Sequence, residues 1–164
     1  MFHEINIFDL PCNPFQLIGK DWALVTAGDE TGFNTMTVSW GSMGVLWSKN
    51  IVTVFIRPQR YTREFLDRFE QFTVSFYPEK QRQALALCGR KSGRDTDKAT
   101  LAGLTPVFEN GTTYFSEARL ILECRKIYLD KIHPEGFLEP SIQGNYTDDY
   151  HLIYIGEITR VLSR

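Results

Sequence analysis

The sequence predicts an all-β fold: an antiparallel barrel with Greek-key connections and a few short helices plugging its ends. Three observations lead there. Roughly six to eight short runs of β-branched and aromatic residues are separated by turns rich in Gly, Pro and Asn. The helical patterns between them are short and irregularly placed, which does not suit the regular crossovers of a parallel sheet. Aromatic residues reach 13%, with 12 Phe, 7 Tyr and 3 Trp, and such side chains favour strands and fill barrel interiors. With 164 residues the chain is expected to be one domain over 1–164, with no repeat, linker or low-complexity stretch.

Taken in order, the first twenty residues hold Pro11 and Pro14 and read as an irregular arm or short edge piece. Residues 22–27 form a strand that ends in the polar turn 28–32. Residues 34–40 alternate, with Thr35, Thr37 and Ser39 on one face and Met36, Val38 and Trp40 on the other, as in a half-buried strand. Gly41 and Gly44 break it before residues 45–47, and the β-branched run 51–56 is a core strand closed by Arg57-Pro58. Phe65, Leu66 and Phe69 recur at helical spacing within 61–69. Residues 72–76 alternate again, and a helix over 79–87 stops near Gly89. Residues 88–98 are polar and loop-like; Ser92 with Asp95 makes a capping-box arrangement that starts a helix through Leu101, ending at Gly103. Strands return at 112–115 and along 118–132, then a loop with a short helix over 134–146, and last a strand over 150–162 bulged at Gly156.

Composition narrows the function. Hydrophobic residues at 43% and charged residues at 23% are those of an ordinary soluble globular protein. A net charge of −2 offers no basic footprint for nucleic acid. The apolar runs are too short for a spanning helix, and the first ten residues lack the basic start and apolar stretch of a signal peptide, so a cytoplasmic location is expected. Cys12, Cys88 and Cys124 are odd in number and widely spaced, which excludes a disulfide framework and a zinc ribbon.

The usual catalytic signatures are missing: no G-x-S-x-G, no H-E-x-x-H, no phosphate-binding P-loop and no G-x-G-x-x-G. His3, His133 and His151 lie far apart without a second metal ligand at suitable spacing, and His151 in its strand is either a satisfied structural group or ligand-facing. Cys88, beside Arg90 and Lys91, has no general-base partner in sequence. What remains is a set of anion-binding candidates. Arg57, Arg60, Tyr61 and Thr62 sit where a core strand turns into a helix, a place where free N–H groups and a guanidinium suit a phosphate. The same two arginines also read as solvated turn residues paired with Glu64 or Asp67. Core packing accounts for Trp40 and Trp47.

Four pieces occur in order: residues 34–40 (NTMTVSW), 57–62 (RPQRYT), 88–98 (CGRKSGRDTDK) and 151–158 (HLIYIGEI). Together they resemble the flavin reductase-like, FMN-binding split-barrel family, and within it the flavoredoxin-like members, over about residues 13 to 162. The resemblance implies a split β-barrel homodimer that binds FMN without a covalent bond, near the subunit interface. It implies an oxidoreductase in which NADH or NADPH reduces flavin or a small acceptor through bound FMN. The alternatives are a flavoredoxin-like carrier reduced by a redox protein partner, and a flavin-binding module without turnover. The cofactor positions it implies are Asn34, Thr35, Met36, Thr37, Val38 and Ser39 along the ring and ribityl chain, with Arg57, Arg60, Tyr61 and Thr62 at the phosphate. Ser92, Arg94 and Asp95 are placed in the site or at its rim. No catalytic side chain and no metal are expected, because hydride chemistry belongs to the cofactor and the protein supplies orientation.

Overall fold

Strands buried on both faces form the centre of this computed structural model, which describes residues 1–10 and 12–164. Pro11, expected in the N-terminal arm, lies outside the described residues. In chain order the elements are β1 (His3–Glu4), α1 (Pro14–Gln16), β2 (Ala23–Asp29), β3 (Gly32–Val38), β4 (Gly41–Leu46) and β5 (Lys49–Ile56). Then follow α2 (Thr62–Arg68), β6 (Gln71–Phe76), α3 (Arg82–Arg90), α4 (Lys98–Leu101), β7 (Pro106–Glu109) and β8 (Thr112–Phe115). The chain ends with β9 (Leu120–Lys131), α5 (Pro140–Gln143) and β10 (Leu152–Ser163).

All pairings in the main sheet are antiparallel, in the order β3-β2-β6-β9-β10-β5-β4, with β1 added on the end of β10. β9 and β10 are inserted between β5 and β6, the kind of interleaving that the Greek-key expectation requires. The expected closed barrel is not formed: β3 and β4 are the two edges of an open sheet and do not pair. α3 packs on the outer face of β3, where the Thr37 hydroxyl donates to the Leu85 carbonyl at 2.5 Å.

The sheet nevertheless curls. Val25 of β2, Met36 and Val38 of β3, Val54 of β5, Phe72 of β6, Leu122 of β9 and Tyr154 of β10 all belong to one buried cluster, plugged by Phe65 and Leu66 of α2. Strands from both ends of the sheet share that cluster only if the face bearing it is concave. A second cluster lies on the outer face, where Leu24 and Ile121 meet Leu85 and Cys88 of α3, Ala99 of α4 and Phe115 of β8.

Two local expectations are corrected. The break falls at Ser39 and Trp40 rather than across both glycines: Gly41 begins β4 and Gly44 lies inside it, and a Cβ at Gly41 would come within 2.8 Å of the Thr53 carbonyl oxygen on the neighbouring strand. α3 stops near Gly89 as expected, with Arg90 its last residue. The cap of α4 is not Ser92 but Asp97, whose carboxylate accepts from the Thr100 N–H at 3.1 Å and from its hydroxyl at 2.7 Å.

The bulge at Gly156 is present: the register of β10 on β9 shifts between Ile155 and Gly156. A Cβ there would stand 2.6 Å from the Phe72 ring and 2.9 Å from Cys124 Cβ. Gly156→Ala is therefore an overpacking change in a filled core, expected to cost about 1–3 kcal/mol. Urea unfolding of wild type and variant checks this, and an unchanged midpoint would mean that the core gives way freely at the bend.

Candidate functional site

Val38 ends one edge strand and Gly41 starts the other, so Ser39 and Trp40 alone join the two edges of the sheet. A cleft of about 230 Å³ opens at this junction. Met36, Thr37, Val38, Ser39 and Trp40 line one side, and Phe55, Arg57, Arg60 and His151 the other. Because β3 has a strand partner on one side only, every second N–H and C=O along it points away from the sheet.

The rings of the cleft are set against one another. The centroids of Trp40 and His151 are 5.3 Å apart, and Phe55 stands edge-on to His151 at 6.4 Å. His151 is buried, and its Nδ1 shares a 3.0 Å hydrogen bond with the Tyr146 hydroxyl. Burial, with the positive charge of Arg57 beside it, lowers its pKa from 6.5 to about 4. The imidazole is neutral at neutral pH.

The two cleft arginines differ in their partners. Arg57 is ion-paired to Asp149, donates to the Asn145 carbonyl at 3.0 Å and lies over the Tyr146 ring at 5.2 Å. Asp149, bonded by the Thr147 N–H, Arg57 and Gln59, is held well below the usual carboxylate range. Arg57 thus fastens the segment between β9 and β10 beside the cleft. Arg60 donates to the Gly89 carbonyl at 2.9 Å, and among the described residues it has no carboxylate within 4.0 Å.

The other residues singled out in the sequence fall elsewhere. Asn34, Thr35 and Tyr61 line a second cleft of about 380 Å³ on the same strand. Thr62 is buried and lines neither cleft; its Oγ1 accepts from Asn34 Nδ2 at 2.7 Å. Thr35 is also buried, its hydroxyl 2.8 Å from that of Thr26. Arg94 pairs with Glu64, donates to the Gln59 carbonyl at 3.2 Å and lies over the Tyr61 ring at 4.7 Å. Ser92 Oγ accepts from the Arg94 N–H at 3.2 Å, and Asp95 is exposed in the same turn.

Trp40, Phe55 and His151 are not among the cofactor positions that the resemblance implies. Trp40 and Trp47, expected in the core, are 49% and 58% exposed. No spacing in the sequence joins residues 40, 55 and 151. The join is made by pairing: Leu152 lies opposite Ile56, which sets His151 beside the exit of β5. Cys88 is fully buried and burial pushes its thiol up to about 11, so it is no thiolate nucleophile at neutral pH.

The two edges of the open antiparallel sheet thus converge on a cleft lined by aromatic rings and two arginines. The comparisons give the family. Residues 16–164 match the profile described as "Flavin reductase like domain", and the chain belongs to that family. No curated protein matches the sequence. Among solved structures, an FMN-binding domain of a flavin reductases-like enzyme from Shewanella baltica superposes with a TM-score of 0.72 at 19% identity, over 99% of this chain and 77% of the other. A flavoredoxin of Desulfovibrio vulgaris gives 0.69 at 20% identity, covering 99% and 77%. An NADH:FAD oxidoreductase of Streptomyces globisporus gives 0.66 at 18%, covering 88% and 75%. At these identities the superpositions speak for the fold.

The residues present fit the flavin that the family implies. The unpaired edge of β3 has N–H and C=O groups free for the polar rim of a ring, Trp40 and Phe55 give the cleft aromatic walls, and Arg60 has no carboxylate partner among the described residues. Among the described residues no three His, Cys, Asp or Glu side chains gather as a metal site, and no helix is long and apolar enough to cross a membrane.

The lowered pKa of His151 makes a stability prediction. Between pH 6.5 and about 4 the unfolded chain binds a proton at this histidine and the folded one does not, so folding weakens as pH falls through that window. In His151→Gln that part of the pH slope should be missing. Unfolding midpoints of both proteins across the window check it; parallel curves would show that His151 does not titrate abnormally.

Proposed function

We propose that the chain is an FMN-dependent oxidoreductase in which NADH or NADPH is the electron donor and flavin or a small molecule is the acceptor. The observation that carries this reading is the cleft at the sheet junction, where an unpaired strand edge, two aromatic walls and a cation without a carboxylate converge. Family membership and the described roles of the structural neighbours support it. Bound FMN supplies the two-electron chemistry at its ring. The chain's part is to hold and orient: the edge of β3 from Met36 to Ser39 takes the polar side of the ring, and Arg60 takes the phosphate. Trp40 and Phe55 keep water from the ring faces, while neutral His151, fixed by Tyr146, adds no positive charge. Arg57, matched by Asp149, contributes less to a phosphate than its place in the sequence motif implies.

A homodimer belongs to the same proposal. Val45 and Trp47 at the end of β4 and Leu129 of β9 are 72%, 58% and 54% exposed, with Trp47 set against Tyr128 at 5.8 Å. A second copy covers such an apolar edge. Sedimentation of FMN-loaded protein tests it, and a monomer would remove this part.

The activity is tested by loading purified protein with FMN and mixing it anaerobically with NADH and NADPH. Rapid bleaching of the flavin absorbance is expected with one of them. Slow bleaching with both would favour the flavoredoxin-like carrier, and protein that stays colourless after FMN addition would overturn the flavin reading altogether. The phosphate assignment has its own test. Arg60→Ala should weaken FMN by about 1.5–3 kcal/mol, the scale of a charged hydrogen bond, or about 10- to 150-fold. Riboflavin, which lacks the phosphate, should bind both proteins alike; equal losses for both ligands would end the assignment.

A further inference from the structure

A neutral imidazole carries one proton for two ring nitrogens, and the partner of one nitrogen decides what the other presents. His151 is neutral at neutral pH, and its Nδ1 has the Tyr146 hydroxyl at 3.0 Å. Among the described residues its Nε2 has no hydrogen-bond partner, yet it is not sealed in the interior, where only Ser75 Oγ and Tyr77 Oη are buried unpaired. The residue as a whole is 6% exposed and lines the cleft at the sheet junction. What access Nε2 has is therefore to that cleft, beside the rings of Trp40 and Phe55.

The chemistry of the two partners sets the direction of their hydrogen bond. A phenolic O–H, with a pKa of about 10, is a far stronger acid than a neutral imidazole N–H, and a bare imidazole nitrogen, with a pKa of about 6.5, is a far stronger base than a phenolic oxygen. In the reverse arrangement the Tyr146 proton would have no acceptor among the described residues. Arg57 lies over the Tyr146 ring at 5.2 Å, and a cation on the ring face draws charge from the hydroxyl and strengthens it as a donor. Both partners are held. Tyr150 stacks on the Tyr146 ring at 5.0 Å, Arg57 is fixed by Asp149, and the His151 carbonyl accepts from the Ile132 N–H at 2.9 Å. The cleft supplies the complement: among the described residues its lining holds Arg57 and Arg60 and no acid. A lone pair on Nε2 would repel the oxygens of an electron-rich ligand there, whereas an N–H binds them.

We propose that Tyr146 is a positioning residue of the flavin site: its hydroxyl donates to Nδ1, holds His151 as the Nε2–H tautomer, and so turns an N–H donor from the cleft wall towards an oxygen of the bound ring. This rests on the flavin reading of the cleft. A donor at a ring oxygen binds more strongly once the ring has gained electrons, so the pair favours the reduced cofactor over the oxidised one. Without the Tyr146 hydroxyl the imidazole is free to carry its proton on Nδ1, and Nε2 then meets the same oxygen with a lone pair.

Two measurements decide the matter, and one of them needs no flavin. Nitrogen NMR of the full chain with isotope-labelled histidine reads the tautomer directly. His3 and His133 are the only other histidines, and His151→Gln identifies the signal. In wild type Nδ1 should be bare and Nε2 protonated; in Tyr146→Phe, which keeps the ring stack, the two tautomers should exchange. Circular dichroism confirms that the variant folds. A redox titration of bound FMN against a reference dye gives the second reading. Tyr146→Phe should lose about tenfold in the preference for reduced over oxidised FMN, a potential lower by about 30 mV for a two-electron couple. The amide of His151→Gln donates without a tautomer to set, so adding Tyr146→Phe to it should change that preference by less than about twofold. A wild-type His151 protonated on Nδ1, a tautomer unchanged in Tyr146→Phe, or an equal loss in the His151→Gln background overturns the proposal. Failure of FMN to bind wild type would instead overturn the flavin reading, and the tautomer would still decide the link between Tyr146 and His151.

Discussion

A link of two residues governs the molecule. Six inter-strand gaps separate β3 from β4 along the sheet, a width of about 29 Å if the sheet lay flat. Ser39 and Trp40 span at most about 11 Å between Val38 and Gly41. The sheet must therefore curl until its edges meet at that end, and the concave face becomes the core shared by strands from both edges. It need not close, because only this one corner is tied. The cleft is the consequence: a seam at the corner, with an unpaired strand edge on one side and the exit of β5 on the other.

Charge compensation then sorts the basic residues around the seam. Arg57, Arg63 and Arg94 each have a carboxylate, in Asp149, Asp67 and Glu64. Their exposure leaves each pair worth little in stability, but it fixes where their charge is spent. Among the described residues, Arg60 and Lys98 are bonded to carbonyl oxygens alone. A carbonyl satisfies a donor without cancelling its charge, so a ligand anion gains more from these two than from the three already paired.

The strands were legible because alternation and β-branched runs report directly on which side of a sheet a residue faces, as in residues 51–56 and 72–76. The glycines misled because their signal is ambiguous. Gly44 lies inside β4, where the sequence pattern reads as a break, while Gly41 opens that strand in close approach to the Thr53 carbonyl. The structure gives the residues of the 57–62 motif different surroundings: Arg57 fastens a neighbouring segment, Thr62 holds Asn34 in the interior, and Arg60 lines the cleft with no carboxylate partner among the described residues. Trp40, Phe55 and His151 come together through the curl and through strand pairing across roughly a hundred residues, a relation that local pattern does not carry.

β3 shows why no phosphate-loop or nucleotide-loop motif marks this site. Its alternation suggested a half-exposed strand with a threonine face to the outside. In the structure both faces are occupied: Met36 and Val38 pack into the concave core, while Thr35 and Thr37 turn towards Thr26 and the Leu85 carbonyl. The hydroxyls are accommodated inside because each finds a polar partner there. With both faces spent, the polar groups β3 has left for a ligand are those of its backbone edge, and backbone groups are the same whatever the side chains. Recognition of this kind leaves its trace in the sequence only through what shapes the edge: an alternating strand, a two-residue link to the far edge, and cations placed beyond it without acids.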